Sequence, residues 1–75
     1  MRGVEFIITA DVVRISMAYS KHKGISIDDA MRIFFDSATY RALVEPDTGL
    51  CFEMFEVVYD MFLEEVSEHE LQTNS

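Results

Sequence analysis

The first segment of the chain, residues 4–22, places its hydrophobic side chains at the three- and four-residue intervals of an α-helix. These side chains form two parallel stripes, the first made of Ile8, Val12, Ile15 and Tyr19 and the second of Phe6, Ala10, Val13 and Met17. Asp11, Arg14 and Lys21 are expected on a polar side of the same helix. Because a helix in a small bundle needs one apolar stripe, the second stripe predicts a further neighbour, another chain included.

Three more helices are predicted, over residues 27–36, 38–45 and 52–68. Ser26 and Asp29 have the spacing of a capping box at the start of the second helix. Pro46 ends the third helix, because the residue before a proline is pushed out of helical geometry. Gly24 follows a run of cations and suits the C-terminal cap of the first helix.

These elements predict an all-α fold, a small bundle of three main helices plus one short helix. Their expected bounds are about 4–22, 27–36, 38–45 and 52–68. A single helical domain is expected to cover residues 1–70, and residues 71–75 are expected to form a polar, frayed tail.

The last helix has a wide apolar arc and a narrow acidic one. Its inward stripe is Cys51, Phe55, Val58, Phe62 and Val66, and a second stripe beside it is Met54, Val57 and Met61. Glu53, Glu56, Asp60 and Glu64 form an acidic strip along one face. The arc is too wide for one neighbour, so the second stripe predicts a partner surface. The acidic strip is interpreted either as a solvated face or as a surface for a basic partner.

The charge of the chain is uneven. The 75 residues have a formal net charge of −8, with a net of +2 in residues 1–24 and −10 in residues 25–75. The two parts could attract each other within the fold or across a dimer, or the acidic part could face a basic partner.

Composition excludes several classes of protein. The single cysteine cannot form an intramolecular disulfide, which excludes a disulfide-stapled secreted mini-protein. No apolar run reaches the roughly 18–20 residues of a membrane span, and the N-terminus lacks the layout of a signal peptide. The acidic charge disfavours binding to nucleic-acid phosphates. We therefore expect a cytoplasmic protein with no nucleic-acid or membrane partner.

Three patterns match catalytic or metal-binding motifs, and a structural role explains each of them better. Residues 47–49, Asp-Thr-Gly, match the tripeptide of aspartic proteases but lie in a connection between helices, where a tight turn is expected. Glu65 and His69 could hold a cation, but a specific metal site needs three or four convergent ligands. Cys51 could be a nucleophile at a helix start, but its apolar stripe favours a place in the core. No catalytic residue, cofactor or metal ion is expected.

One set of residues resembles a known family. The set is Gly24-Ile25-Ser26, Ala30, Phe34, Ser37, Thr39-Tyr40, Leu43, Asp47-Thr48-Gly49-Leu50, Tyr59 and Glu64-Glu65. Through these residues, most of the segment 4–66 resembles a family of short, uncharacterised helical bacterial proteins, described as a domain of unknown function. Members look like companions encoded beside larger proteins, some of them suspected toxins of the ADP-ribosyltransferase type. The resemblance implies an interaction role of an antitoxin kind and supplies no catalytic residues.

These observations favour a non-catalytic protein-interaction module that forms a homodimer or binds a protein partner. Its predicted interface residues are Phe6, Val13, Met17, Met54, Val57 and Met61. The alternative is an acidic decoy that neutralises a basic protein surface through the acidic strip. A small enzyme is the least favoured hypothesis, because no pair of groups is placed for proton transfer.

Overall fold

A computed structural model describes the backbone of residues 2–74 and the side chains of residues 5–68. Within that part the chain forms four α-helices and no β-strand. The helices are α1 (Arg2–Lys23), α2 (Ile27–Phe35), α3 (Ala38–Val44) and α4 (Phe55–Asn74). Two single 3-10 turns, Pro46–Thr48 and Leu50–Phe52, connect α3 to α4. The predicted all-α class is confirmed.

The ends of α1, α2 and α3 are fixed by local hydrogen bonds. The Gly24 and Ile25 N–H groups both donate to the Ser20 carbonyl, at 2.9 and 3.1 Å, and Gly24 has the positive φ of 70° that a glycine adopts without strain. At the start of α2, the Asp29 N–H donates to Ser26 Oγ at 3.0 Å, as the capping-box spacing predicts. Ser37 caps α3 in the same way, by accepting from the Tyr40 N–H at 3.0 Å.

The last helix differs from its predicted bounds of 52–68. It begins at Phe55, because Leu50–Phe52 forms a 3-10 turn and Glu53 is extended. Its backbone reaches Asn74, beyond the predicted end. The fraying expected of residues 71–75 stays a prediction, and Ser75 lies outside the described residues.

Every element from α1 to α4 contributes residues to the core, except the 3-10 turn Pro46–Thr48. Its buried apolar residues are Val12, Ile15, Tyr19, Ala30, Phe34, Leu43, Leu50, Cys51, Val58 and Phe62. The ring of Phe62 on α4 meets Tyr19 of α1 edge-on at 4.9 Å and Phe34 of α2 edge-on at 5.0 Å. Such edge-to-face pairs add to the burial of three large rings, so Phe62 joins three helices at one point.

The predicted inward stripe of α1 is in the core, but the prediction of its polar side is partly wrong. Val12, Ile15 and Tyr19 are buried and Ile8 packs against them. Asp11, expected on the polar side, is also buried. The reason is that α1 packs against α2, α4 and the turn Leu50–Phe52, so a wide arc of its surface is covered.

Candidate functional site

The second apolar stripe of α1 lies on the outside of the molecule. Phe6, Val13 and Met17 are all exposed, Phe6 to 75% of its surface, and Ala10 between them is partly exposed. At 100° per residue, these four positions lie on roughly the opposite face of α1 from Ile15 and Tyr19. We call Phe6, Ala10, Val13 and Met17 the outer row of α1.

A second exposed apolar row follows the start of α4. Met54, Val57 and Met61 are exposed, Met54 to 68% of its surface. The Met54 carbonyl accepts the N–H groups of Val57 and Val58 at 3.0 and 3.3 Å, so Met54 continues the helix line although it precedes Phe55. We call Met54, Val57 and Met61 the outer row of α4. All six residues of the predicted interface are therefore at least partly exposed within one chain.

Charged side chains border both rows. Lys21 lies one turn beyond Met17 on α1 and is exposed. On α4, Glu64 and Glu68 extend the outer row at the same spacing and are exposed. The acidic strip of Glu53, Glu56, Asp60 and Glu64 is exposed along its whole length. The two rows thus have opposite charge at their C-terminal ends.

Arg14 connects the two long helices. Its guanidinium carbon lies 4.4 Å from the centroid of the Phe55 ring, within the range of a cation–π interaction. The Phe55 ring also stacks on Tyr59 at 5.5 Å. This contact holds the first turn of α4, and with it the start of the outer row of α4, against α1.

Glu65 has a structural role that the sequence did not indicate. Its Oε2 accepts the Ala38 N–H at 2.7 Å, and its Oε1 accepts the Thr39 N–H at 2.9 Å and the Thr39 hydroxyl at 2.8 Å. Burial alone raises the pKa of Glu65, but these hydrogen bonds and the charge of Arg41 together lower it below its ordinary value. Glu65 therefore binds the N-terminus of α3, where orphan N–H groups attract a carboxylate. His69, which the sequence pairs with Glu65 as a cation clamp, has its side chain outside the described residues.

Two polar groups on α1 are buried without a hydrogen-bond partner among the described residues, Oδ2 of Asp11 and Oγ of Ser16. Burial raises the pKa of Asp11 above its ordinary value of 3.8, and the nearby charge of Arg14 offsets part of that effect. Both positions lie at the edge of the inward stripe of α1. The spacing of apolar residues does not show whether such an edge position is buried.

The motifs of catalytic type have structural roles in the part of the chain that is described. In the Asp-Thr-Gly segment, Thr48 closes a 3-10 turn: its hydroxyl donates to the Ala42 carbonyl and accepts the Leu50 N–H at 3.2 Å. Cys51 is a free thiol buried in the core, as its stripe predicts. No group of three His, Cys, Asp or Glu side chains among the described residues could hold a metal ion.

An open groove of about 890 Å³ lies between the C-terminal end of α2 and α4. Its lining mixes Arg32, Phe35, Glu65 and Val66. Glu65 is engaged by α3, whereas Arg32, Asp36 and Glu68 are exposed, so the groove has a mixed apolar and charged lining. None of the described helices is long and apolar enough to cross a membrane.

No protein-family model, curated protein or solved structure matches the chain. The resemblance carried by segments 24–26, 37–40 and 47–50 therefore stays a prediction. On the surface, the two outer rows are exposed apolar stripes at helical spacing, and single apolar side chains such as Phe52 and Phe35 are exposed elsewhere.

Proposed function

We propose that this chain is a non-catalytic protein-interaction module that binds another polypeptide through its outer rows. The observation that supports the proposal is the outer row of α1, an apolar stripe along three turns on the face away from the core. Single exposed apolar residues are common, but contiguous exposed patches mark interaction sites. At ~25 cal/mol per Å² of apolar surface, burying Phe6, Val13 and Met17 would contribute several kcal/mol to a complex.

The partner is a protein, either a second copy of the chain or the product of a neighbouring gene. The second possibility follows from the family resemblance, in which members accompany larger proteins that include suspected ADP-ribosyltransferase-type toxins. In that case the chain would act as an antitoxin-like companion, covering a surface of the larger protein with its outer rows.

Three exposed residues allow a matched test of this function. Val13, Met61 and Ile33 expose 40%, 39% and 38% of their surfaces, on the outer row of α1, the outer row of α4 and α2 respectively. Because all three side chains are equally exposed, Glu enters a similarly solvated position at each site. We expect Val13→Glu or Met61→Glu to abolish assembly while Ile33→Glu leaves it intact. Light scattering coupled to size exclusion measures self-association, and co-purification measures binding to the neighbouring gene product.

The proposal is wrong if the wild-type chain is monomeric at micromolar concentration and also fails to bind that product. It is equally contradicted if all three variants assemble as the wild type does. Thermal unfolding followed by circular dichroism verifies that each variant is folded before its assembly is interpreted.

The exposed acidic strip supports a second candidate function, neutralisation of a basic protein surface. Exposed charges are screened over ~10 Å at 0.1 M salt, so binding through the strip should weaken as salt is added. A strip variant changes Glu53, Glu56 and Glu64 to Gln and Asp60 to Asn. A matched control changes four exposed acids elsewhere, Asp28, Asp29, Asp36 and Asp47, to Asn.

Both variants lose the same charge, so a titration with a lysine-rich peptide separates the strip from net charge. We expect the strip variant to lose more affinity and more salt dependence than the control. Equal losses would show that overall acidity, and not the strip, attracts the peptide.

A further inference from the structure

We infer that the outer row of α1 binds the outer row of α4 in a second copy of the chain, with the two helices parallel. Met17 of one copy then lies beside Met61 of the other, and Lys21 lies beside Glu64. This inference rests on the proposed function and specifies its partner.

The spacing of the two rows supports this register. Ala10, Val13 and Met17 on α1 are separated by the same intervals as Met54, Val57 and Met61 on α4, so one offset aligns all three pairs. The alignment sets the small Ala10 against the long Met54, which is also the most exposed side chain of its row. From Ala10 to Lys21 the contact would run about 16 Å along α1, at 1.5 Å per residue. Repeated steps of three and four residues are those of helices that pack side by side.

Charge complementarity selects the second copy and the parallel direction. In the same register the exposed Lys21 lies between the exposed Glu64 and Glu68 of the other chain. An antiparallel arrangement provides only one of the two features, aligned apolar rows or paired charges, at a time. The register that sets Ala10 against Met61 leaves Lys21 beyond the start of α4, and the register that sets Lys21 against Glu53 sets Ala10 against Glu64. Packing α1 on the α1 of another copy would leave Met54, Val57 and Met61 uncovered. The parallel contact between α1 and α4 covers Ala10, Val13 and Met17 together with the outer row of α4, and it pairs opposite charges.

Two variants with opposite new charges test the contact by complementation. Met17→Glu places an acid opposite Met61 and near the exposed Glu64, and Met61→Lys places a cation opposite Met17 and near Lys21. Each variant alone should lose about tenfold or more in self-association, because a charge enters an apolar contact. Mixed in equal amounts, the variants should form a heterodimer. One contact in the mixture is unaltered, and the other pairs the new Glu with the new Lys.

Sedimentation measures the self-association of each variant and the formation of a heterodimer in the mixture. Recovery in the mixture also demonstrates that both variants are folded; if either fails to fold alone, Lys21→Glu and Glu64→Lys, at exposed positions, repeat the design. Self-association that survives Met61→Lys would overturn the inference, because the outer row of α4 would then lie outside the contact. A mixture that stays monomeric would overturn it as well. A monomeric wild type that still binds the neighbouring gene product would overturn this inference while leaving the proposed function standing.

Discussion

At the scale of single residues, the buried polar side chains of Asp11 and Ser16 lower the free energy of unfolding. Both side chains are buried, and one oxygen of each has no hydrogen-bond partner among the described residues. A buried polar atom without a partner destabilises a fold by about 1–3 kcal/mol. The remaining contacts of α1 must offset this cost, which makes the two positions candidates for stabilising substitutions.

Replacing Asp11 with Asn should stabilise the protein at neutral pH by about 1 kcal/mol, because it removes a buried charge. The pKa of Asp11 is raised in the fold, so the folded state holds its proton more tightly than the unfolded state. Asp11 therefore lowers the stability of the wild type as the pH rises from its ordinary pKa of 3.8 through the raised value. The gain from Asp11→Asn should disappear below that window. Urea unfolding at several pH values measures it.

Ser16→Ala is the control for this prediction, since it removes the other unpaired atom without changing charge. It should stabilise the fold equally at every pH. A gain from Asp11→Asn that is also independent of pH would contradict the raised pKa, and a loss of stability would contradict the unpaired oxygen.

At the scale of elements, α3 depends on α4. Seven residues are too few for a stable helix in isolation. Glu65 supplies what the short helix lacks, since its carboxylate accepts two N–H groups from the first turn of α3. A carboxylate at this position also interacts favourably with the dipole of α3.

Glu65→Gln should therefore lower the free energy of unfolding by about 1 kcal/mol at pH 7, because the amide accepts through one oxygen and has no charge. The pKa of Glu65 is lowered in the fold, so its contribution is complete above its ordinary value of 4.5. That contribution is lost as the pH falls through the lowered value. The difference between wild type and Glu65→Gln should shrink accordingly in unfolding experiments from pH 7 to acid.

Glu64→Gln is the matched control, because Glu64 is the adjacent residue and is exposed. It should change stability little at any pH. A deficit in Glu65→Gln that stays constant down to low pH would show that the side chain acts through packing and not through its charge.

The elements also show which local features the sequence encodes. Ser26, Gly24 and Pro46 indicate helix ends that the structure confirms, because caps and breakers act through neighbouring backbone groups. The start of α4 was predicted three residues early, because Leu50–Phe52 has helical spacing but forms a separate 3-10 turn after Gly49. Glu53 is extended, and this residue separates the 3-10 turn from α4.

At the scale of the whole molecule, periodicity predicted which apolar stripes enter the core but not which polar groups join them. The inward stripes of α1 and α4 are built from residues such as Ile15 and Phe62, and both are in the core. Glu65 could not be assigned from the sequence, since its partners Ala38 and Thr39 lie more than 25 residues away. Asp11 was missed because the pattern of α1 alone does not show how wide an arc of that helix is covered by α2, α4 and the turn Leu50–Phe52. The second apolar stripes that the sequence predicts on α1 and α4 are the two outer rows, whose role as an interface stays a prediction.

The position of Phe62 in the chain has a consequence for synthesis. Tyr19 and Phe34, the rings it touches, are made early, whereas Phe62 and Val58 belong to the last helix. Until α4 leaves the ribosome, the growing chain exposes Ile15, Tyr19 and Phe34 without the side chains that cover them. Such exposed apolar surface is prone to aggregation. Completion of the core therefore waits until α4 has been synthesised and has left the ribosome.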